Sequence, residues 1–320
     1  MSKSKKILAV GIKLVIGILS FYIIYAKLVS IPHLKEQCLN LINEPTIYPV
    51  LVLVILLVPA NWGIESYKWQ LITKKTESIS YKTALKSVFA GICVGNIAPG
   101  RSMEFLAKIV FFKPENRPSI TVLHFINGMF QMLITVTMGI ISVLYKFNTT
   151  NNSSTLVYAI IGGGIAIMIL CVWAITNVSF IQQKLKWIKW FRKMETIEPI
   201  QLSVKLVLSL LLLSVIRYLV FTAQFYLLYS AIFPQALFIE SFTSIAAYFM
   251  LTSIIPMISY IEPAIRAAIA LFVFNNVNDN TVFVVLASTG VWFVNVVIPS
   301  VIGYIIIVRE KIEFRSKHAD

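Results

Sequence analysis

Long uncharged apolar runs recur over the whole chain, at residues 157–176, 206–216 and 282–308 among others. Several reach the roughly 20 residues that cross a bilayer as a helix. A water-soluble core cannot account for this pattern: 58% of the 320 residues are hydrophobic and only 13% are charged, far from the usage of soluble domains. Lipid is therefore the solvent for most side chains. The expected fold is all-α, a polytopic membrane helix bundle with no room for a soluble catalytic domain. The formal net charge of +14 does not point to nucleic acid, which needs a basic face on a soluble fold. The basic residues sit between apolar segments, in alternate loops, the pattern that orients a chain during insertion. Cys38, Cys93 and Cys171 are widely spaced with no C-x-x-C pair, so neither a disulfide framework nor a metal site is expected. Lys3, Lys5 and Lys6 precede an apolar run at 7–24 that is long and lacks an A-x-A cleavage site, which reads as an uncleaved first span.

Six full spans are expected near 7–30, 47–72, 119–145, 156–176, 204–231 and 281–308. Two further apolar regions, 81–112 and 240–274, are each interrupted, the first by Pro99 and Gly100, the second by Pro256 and Pro263. Proline inside a helix removes a donor and clashes with the preceding turn, so each region should split into two short helices. The pieces 85–98 and 102–112 would run about 16–21 Å, too short for a hydrocarbon core of about 30 Å. Lys74, Lys75, Lys82 and Lys86 on one side and Lys108, Lys113 and Arg117 on the other put both ends of the first region in the cytoplasm. The second is bracketed by IFPQALFIE and NNVNDN, which hold no Lys or Arg, so both its ends lie outside. One full span per region would instead carry Lys184, Lys186, Lys189, Arg192 and Lys193 outside, against the positive-inside rule. Two re-entrant helical hairpins are therefore expected, one entering from each face, with N- and C-termini cytoplasmic; two short full spans per region would give the same parity.

Span 47–72, the first hairpin and span 119–145 then mirror span 204–231, the second hairpin and span 281–308 in opposite orientation. The hairpins share a pattern, PGRSMEFLAK against PMISYIEPAIR: a carboxylate follows the break and a base follows it by four, as Glu104 with Lys108 and Glu262 with Arg266. The expected organisation is one integral membrane domain over 1–320. It comprises a first span with an external loop (1–46), repeat one (47–146), a fourth span with a basic cytoplasmic loop (147–203) and repeat two (204–320). Transporters use inverted-topology repeats with discontinuous helices to bind substrate near the midplane.

Four basic residues, Lys13, Arg101, Arg217 and Arg266, and three acidic ones, Glu65, Glu104 and Glu262, fall at membrane depth. Charges there are costly unless paired or hydrated, and they mark bundle interiors and polar cavities. Arg101 and Glu104 at i,i+3, with Glu104–Lys108 and Glu262–Arg266 at i,i+4, share helix faces. Such pairs either pin the hairpins or hold a ligand, and the helix break frees backbone N–H groups suited to a phosphate or carboxylate. Polar stripes flank the hairpins: Asn61 and Glu65; His124, Asn127 and Gln131; Ser214, Arg217 and Gln224; Ser288, Trp292 and Asn295. Each lies on one face, and together they are expected to line a hydrated cavity rather than only to bond helices to one another. The candidate substrate-binding residues are thus Glu65, Arg101, Glu104, Lys108, Asn127, Gln131, Arg217, Glu262, Arg266 and Asn295; His124 is expected to be a packed polar residue. The segment KLKWIKWFRK at 184–193 suits a helix in the cytoplasmic headgroup layer that attracts anionic lipid headgroups, or an ordinary positive-inside loop.

The P-G-x-x-x-E hairpin, its counterpart and the six-span layout resemble the lysylphosphatidylglycerol synthase transmembrane-region family, the flippase-like membrane domain of the multiple peptide resistance factor. The motif residues correspond to Pro99, Gly100, Glu104, Pro256 and Glu262. In the hairpins Ser102, Met103 and MISYI stand where that family is usually richer in glycine. The resemblance implies an inverted-repeat bundle that moves phospholipids between leaflets, and no lipid synthesis, because the synthase's aminoacyl-transferase portion has no counterpart in this sequence. The leading expectation is a transporter of a phospholipid or lipid-linked substrate in a bacterial cytoplasmic (inner) membrane, without cofactor, metal or catalytic residues. Arg101, Arg217 and Arg266 would hold phosphate, and Glu104 and Glu262 would hold an amine or carry protons. A membrane enzyme of lipid or envelope metabolism would need a nucleophile with a base, or a metal cluster; His33, His124 and His318 are dispersed. A non-transporting membrane partner of envelope enzymes is the third alternative.

Overall fold

A computed structural model describes residues 45, 47–97, 102–150, 155–185, 199–255, 261–274 and 281–310. Among them the chain is helical, with no strand. In hydrocarbon a backbone must satisfy its polar groups within the segment, and a helix does so. The helices are α1 (Ile47–Thr73), α2 (Tyr81–Ile97), α3 (Glu104–Ile109), α4 (Arg117–Thr150), α5 (Thr155–Thr176), α6 (Val178–Leu185), α7 (Val204–Ile232), α8 (Phe238–Ile254), α9 (Glu262–Val273), α10 (Thr281–Trp292) and α11 (Ile298–Arg309). A π-helical turn, Phe293–Val297, joins the last two. Five helical segments are long and apolar enough to cross a membrane: α1, α4, α5, α7 and the α10–α11 rod. They coincide with five of the six expected spans, and the chain is a multi-pass membrane protein. The expected span at 7–30 lies outside the described residues.

Both interrupted regions are pairs of short helices, α2 with α3 and α8 with α9. The breaks at Pro99, Gly100 and Pro256 lie outside the described residues, whereas Pro263 sits in the first turn of α9, where its missing N–H leaves no bond unmade. The helix after the first break is shorter than the 102–112 expected, ending at Ile109 in a run of turns. Each pair returns to the end it left. The Glu77 carboxylate, just past α1, accepts hydrogen bonds from the Lys113 N–H at 3.1 Å and the Asn116 amide at 2.8 Å. Phe233, past the end of α7, meets Phe283 at the start of α10 with ring centroids 6.4 Å apart.

The chain forms two compact units, each taking part of α1, α4, α5 and α7. The first holds the chain up to Val58, Thr135–Gly164 and Leu219–Asn295. Its core is aromatic: Phe225, Tyr229, Phe233, Tyr248 and Phe274 bury together with Val54, Ile265 and Ile269, and Phe225 stacks on Phe274 at 5.7 Å. The second holds Pro59–Ile134, Ile165–Tyr218 and the chain from Val296. There α2 is clamped on two sides. A Cβ on Gly303 would overlap the Phe89 carbonyl, so glycine permits α11 to lie directly on α2, and Asn96 bonds Ser300 alongside. On the other side Ser87, Gly91 and Gly95, four apart on one face, receive α3.

Candidate functional site

The α2–α3 pair shapes one wall of the site. A Cβ on Gly91 would lie 2.8 Å from Lys108 Cγ, and one on Gly95 would lie 3.0 Å from Glu104 Cβ. These two glycines therefore let the stems of Glu104 and Lys108 cross α2 at contact distance. Ser87 Oγ donates to the Lys108 carbonyl at 3.1 Å and accepts from Trp69 Nε1 at 3.1 Å, which ties α3 to α1. The expected i,i+4 pair forms, with Lys108 Nζ 2.7 Å from Glu104 Oε1. Lys108 is 1% exposed and its ammonium lies 5.2 Å from the centre of the Trp69 ring, a cation–π contact that offsets part of its desolvation.

The facing wall comes from α1, α4 and α7. Glu65 on α1 accepts a 2.7 Å hydrogen bond from the Asn127 amide and pairs with Arg217 Nη1 at 3.2 Å. Arg217 Nε donates to Asn61 Oδ1 at 2.9 Å, its Nη1 donates to Gln131 Oε1 at 3.4 Å, and its guanidinium lies over Trp62 at 5.0 Å. Gln131 in turn donates to the Ser214 carbonyl at 3.3 Å. Three polar stripes on three helices thus close on one point. That point lies well inside the helices: Glu65, Asn127 and Arg217 stand 8 to 13 residues from the nearer ends of their helices, or about 12–20 Å.

Between the walls is a cavity of about 280 Å³ lined by Trp62, Glu65, Glu104, Lys108, Asn127 and Arg217, with His124, Gln131 and the exposed Ser102, Phe125 and Gly128 completing its wall and rim. Six of the ten expected binding residues gather here: Glu65, Glu104, Lys108, Asn127, Gln131 and Arg217. Arg101 lies outside the described residues. The remaining three belong to the first unit. Glu262 Oε1 accepts from Arg266 Nε at 2.9 Å and Nη2 at 2.8 Å, and Arg266 also hydrogen-bonds Tyr248. Asn295, on the π turn, donates to Gln224 Oε1 at 3.0 Å, and Gln224 donates to the Val54 carbonyl at 2.8 Å; this chain of amides bonds three helical segments together.

The residue that sequence reasoning missed is Lys68. Its sequence position, six residues before Lys74 and Lys75, groups it with the cytoplasmic bases, yet it is 0% exposed and its Nζ lies 3.6 Å from Glu65 Oε2. The signal was present, since Lys68 continues the Asn61 and Glu65 stripe by one more turn. His124 packs as expected against Trp69, Phe105 and Phe125, with centroids 5.3–6.4 Å away, and it also borders the cavity. Among the described residues no three His, Cys, Asp or Glu side chains are grouped to hold a metal ion. No protein family and no curated protein matches the chain.

Proposed function

We propose that the protein is a flippase-like transporter that carries the polar headgroup of a lipid or lipid-linked substrate across a bacterial cytoplasmic membrane. The observation that carries this reading is the ionic cavity set 8 to 13 residues inside three apolar helices, with a rim at Ser102, Phe125 and Gly128 that is open to the surroundings. Five buried or half-buried charges at such depth are costly, and a cavity among them gives a headgroup a polar path while its acyl chains stay in lipid. Broken helices support alternating access, because half-helices move without tearing a continuous hydrogen-bond ladder. The return of α2–α3 to the end of α1 supports a hairpin that re-enters the membrane, and the lysines around it favour the cytoplasmic side. The resemblance to the lysylphosphatidylglycerol synthase transmembrane-region family points the same way.

The test is reconstitution. In proteoliposomes carrying fluorescent phospholipids, the protein is expected to accelerate translocation, read as the fraction of label that dithionite quenches. Arg217→Gln and Glu104→Gln are each expected to abolish the acceleration. Wild-type rates in both variants would remove the cavity from the transport path.

A further inference from the structure

The charges around the cavity do not cancel. Among the described residues Glu65 and Glu104 face Lys68, Lys108 and Arg217, a surplus of one positive charge with His124 counted as neutral. Lys108 is closed on Glu104 at 2.7 Å. Lys68 does not line the cavity; it stands behind Glu65, fully buried, its Nζ making no hydrogen bond. It is thus a fixed charge that shares Glu65 with Arg217, at 3.6 Å against 3.2 Å, and one carboxylate cannot neutralise both cations. Of the two, Arg217 lines the cavity, so the surplus they share is presented to a ligand there. Its Nη2 donates to no described residue, and a guanidinium fork suits two phosphate oxygens at once.

The geometry points to a site for one monoanionic phosphodiester headgroup in this cavity, with Lys68 as the residue that sets the charge preference. This rests on the transport reading above and names the charge class of its substrate. The volume of about 280 Å³ lies at the small end of ligand sites and suits a small headgroup. The exposed rim at Ser102, Phe125 and Gly128 leaves a way out for the acyl chains. His124 and Asn127 border the cavity, and their Nδ1 and Oδ1 atoms are buried without a hydrogen-bond partner. A cationic aminoacylated headgroup would add its charge to a surplus of the same sign.

The test uses the full-length protein in neutral detergent with water-soluble dihexanoyl lipids: phosphatidylglycerol, phosphatidylcholine and lysyl-phosphatidylglycerol, and inorganic phosphate as the probe without acyl chains. Phosphatidylglycerol is expected to bind about tenfold tighter than phosphatidylcholine, the worth of one charge-assisted hydrogen bond. Lys68→Met removes a charge that never touches the ligand and is expected to erase that preference. Glu65→Gln with Lys68→Met restores the surplus and is expected to restore the preference, which a merely structural lysine would not do. Arg217→Gln, which also removes one positive charge, keeps the test alive should Lys68→Met fail to insert. Equal binding of phosphatidylcholine, tighter binding of the lysyl lipid, or an undiminished preference in Lys68→Met overturns the proposal. Inorganic phosphate binding as tightly as phosphatidylglycerol overturns it in favour of free phosphate. Vesicle transport separates the two readings: translocation of zwitterionic or cationic lipid alone sinks the charge class and leaves transport standing. Selective phosphatidylglycerol binding with no translocation of any lipid supports the site and sinks transport.

Discussion

Glu65 and Lys68 face each other in a setting where exchanging one partner is not the mirror image of exchanging the other, and this asymmetry is measurable. Glu65 holds three groups: the Asn127 amide at 2.7 Å, Arg217 at 3.2 Å and Lys68 at 3.6 Å. Glu65→Gln keeps the shape and an acceptor for Asn127 but removes the charge. Arg217 then retains Asn61 and Gln131, whereas Lys68 is left fully buried with no counter-ion. Stranding one member of a buried pair costs about 3–5 kcal/mol in soluble proteins, while interhelical polar contacts in lipid measure roughly 0.6–1.7 kcal/mol. An expected loss of about 2–3 kcal/mol lies between these bounds. Lys68→Met removes the stranded cation itself, fills nearly the same volume and leaves Glu65 with Arg217 and Asn127, so its cost is expected to stay within about 1 kcal/mol. Combining the two should recover about 1–2 kcal/mol relative to Glu65→Gln alone, because the residues are coupled. Unfolding in mixed micelles of increasing dodecyl sulfate, followed by circular dichroism, reads all three variants. Equal destabilisation by the two single substitutions, or a double variant no better than Glu65→Gln, refutes the idea that Lys68 is held only by Glu65.

Gly95→Leu forces a side chain against Glu104, whose Cβ already lies at the contact limit, and should destabilise the protein by about 1–3 kcal/mol, as overpacked sites do, while abolishing transport; normal melting with normal transport would show that α3 need not lie on α2. A cysteine at Glu115, in a variant lacking the native cysteines, should react with a thiol reagent only after the cytoplasmic face is opened, in step with one at Ser78; labelling of position 115 from the outside would turn the α2–α3 pair into a crossing.

Much of this protein is legible along the chain because the governing properties are local. Hydropathy over about 20 residues marks a span wherever it lies, and five such spans stand where the runs of leucine, isoleucine and valine put them. Both regions that proline interrupts in the sequence are pairs of short helices, as expected from a residue that lacks a donor and crowds the preceding turn. Spacing of four residues brings Glu104 to Lys108 and Glu262 to Arg266, since both partners ride on one helix. The stripes of Asn61 and Glu65, Asn127 and Gln131, and Arg217 are likewise helix faces that can be read without a partner in view.

Only the packing of helices decided the rest. Lys68 looks like one more cytoplasmic base beside Lys74 and Lys75, and α1 must be set against α2, α3 and α4 before its ammonium is seen behind Glu65. Gly91 and Gly95 have no meaning until Glu104 and Lys108 cross them. Gln224 and Asn295, written like cavity residues, instead bond each other and the Val54 carbonyl. The physical reason is common to all three: burial, charge compensation and close approach are properties of pairs of surfaces, and a sequence displays each helix surface singly.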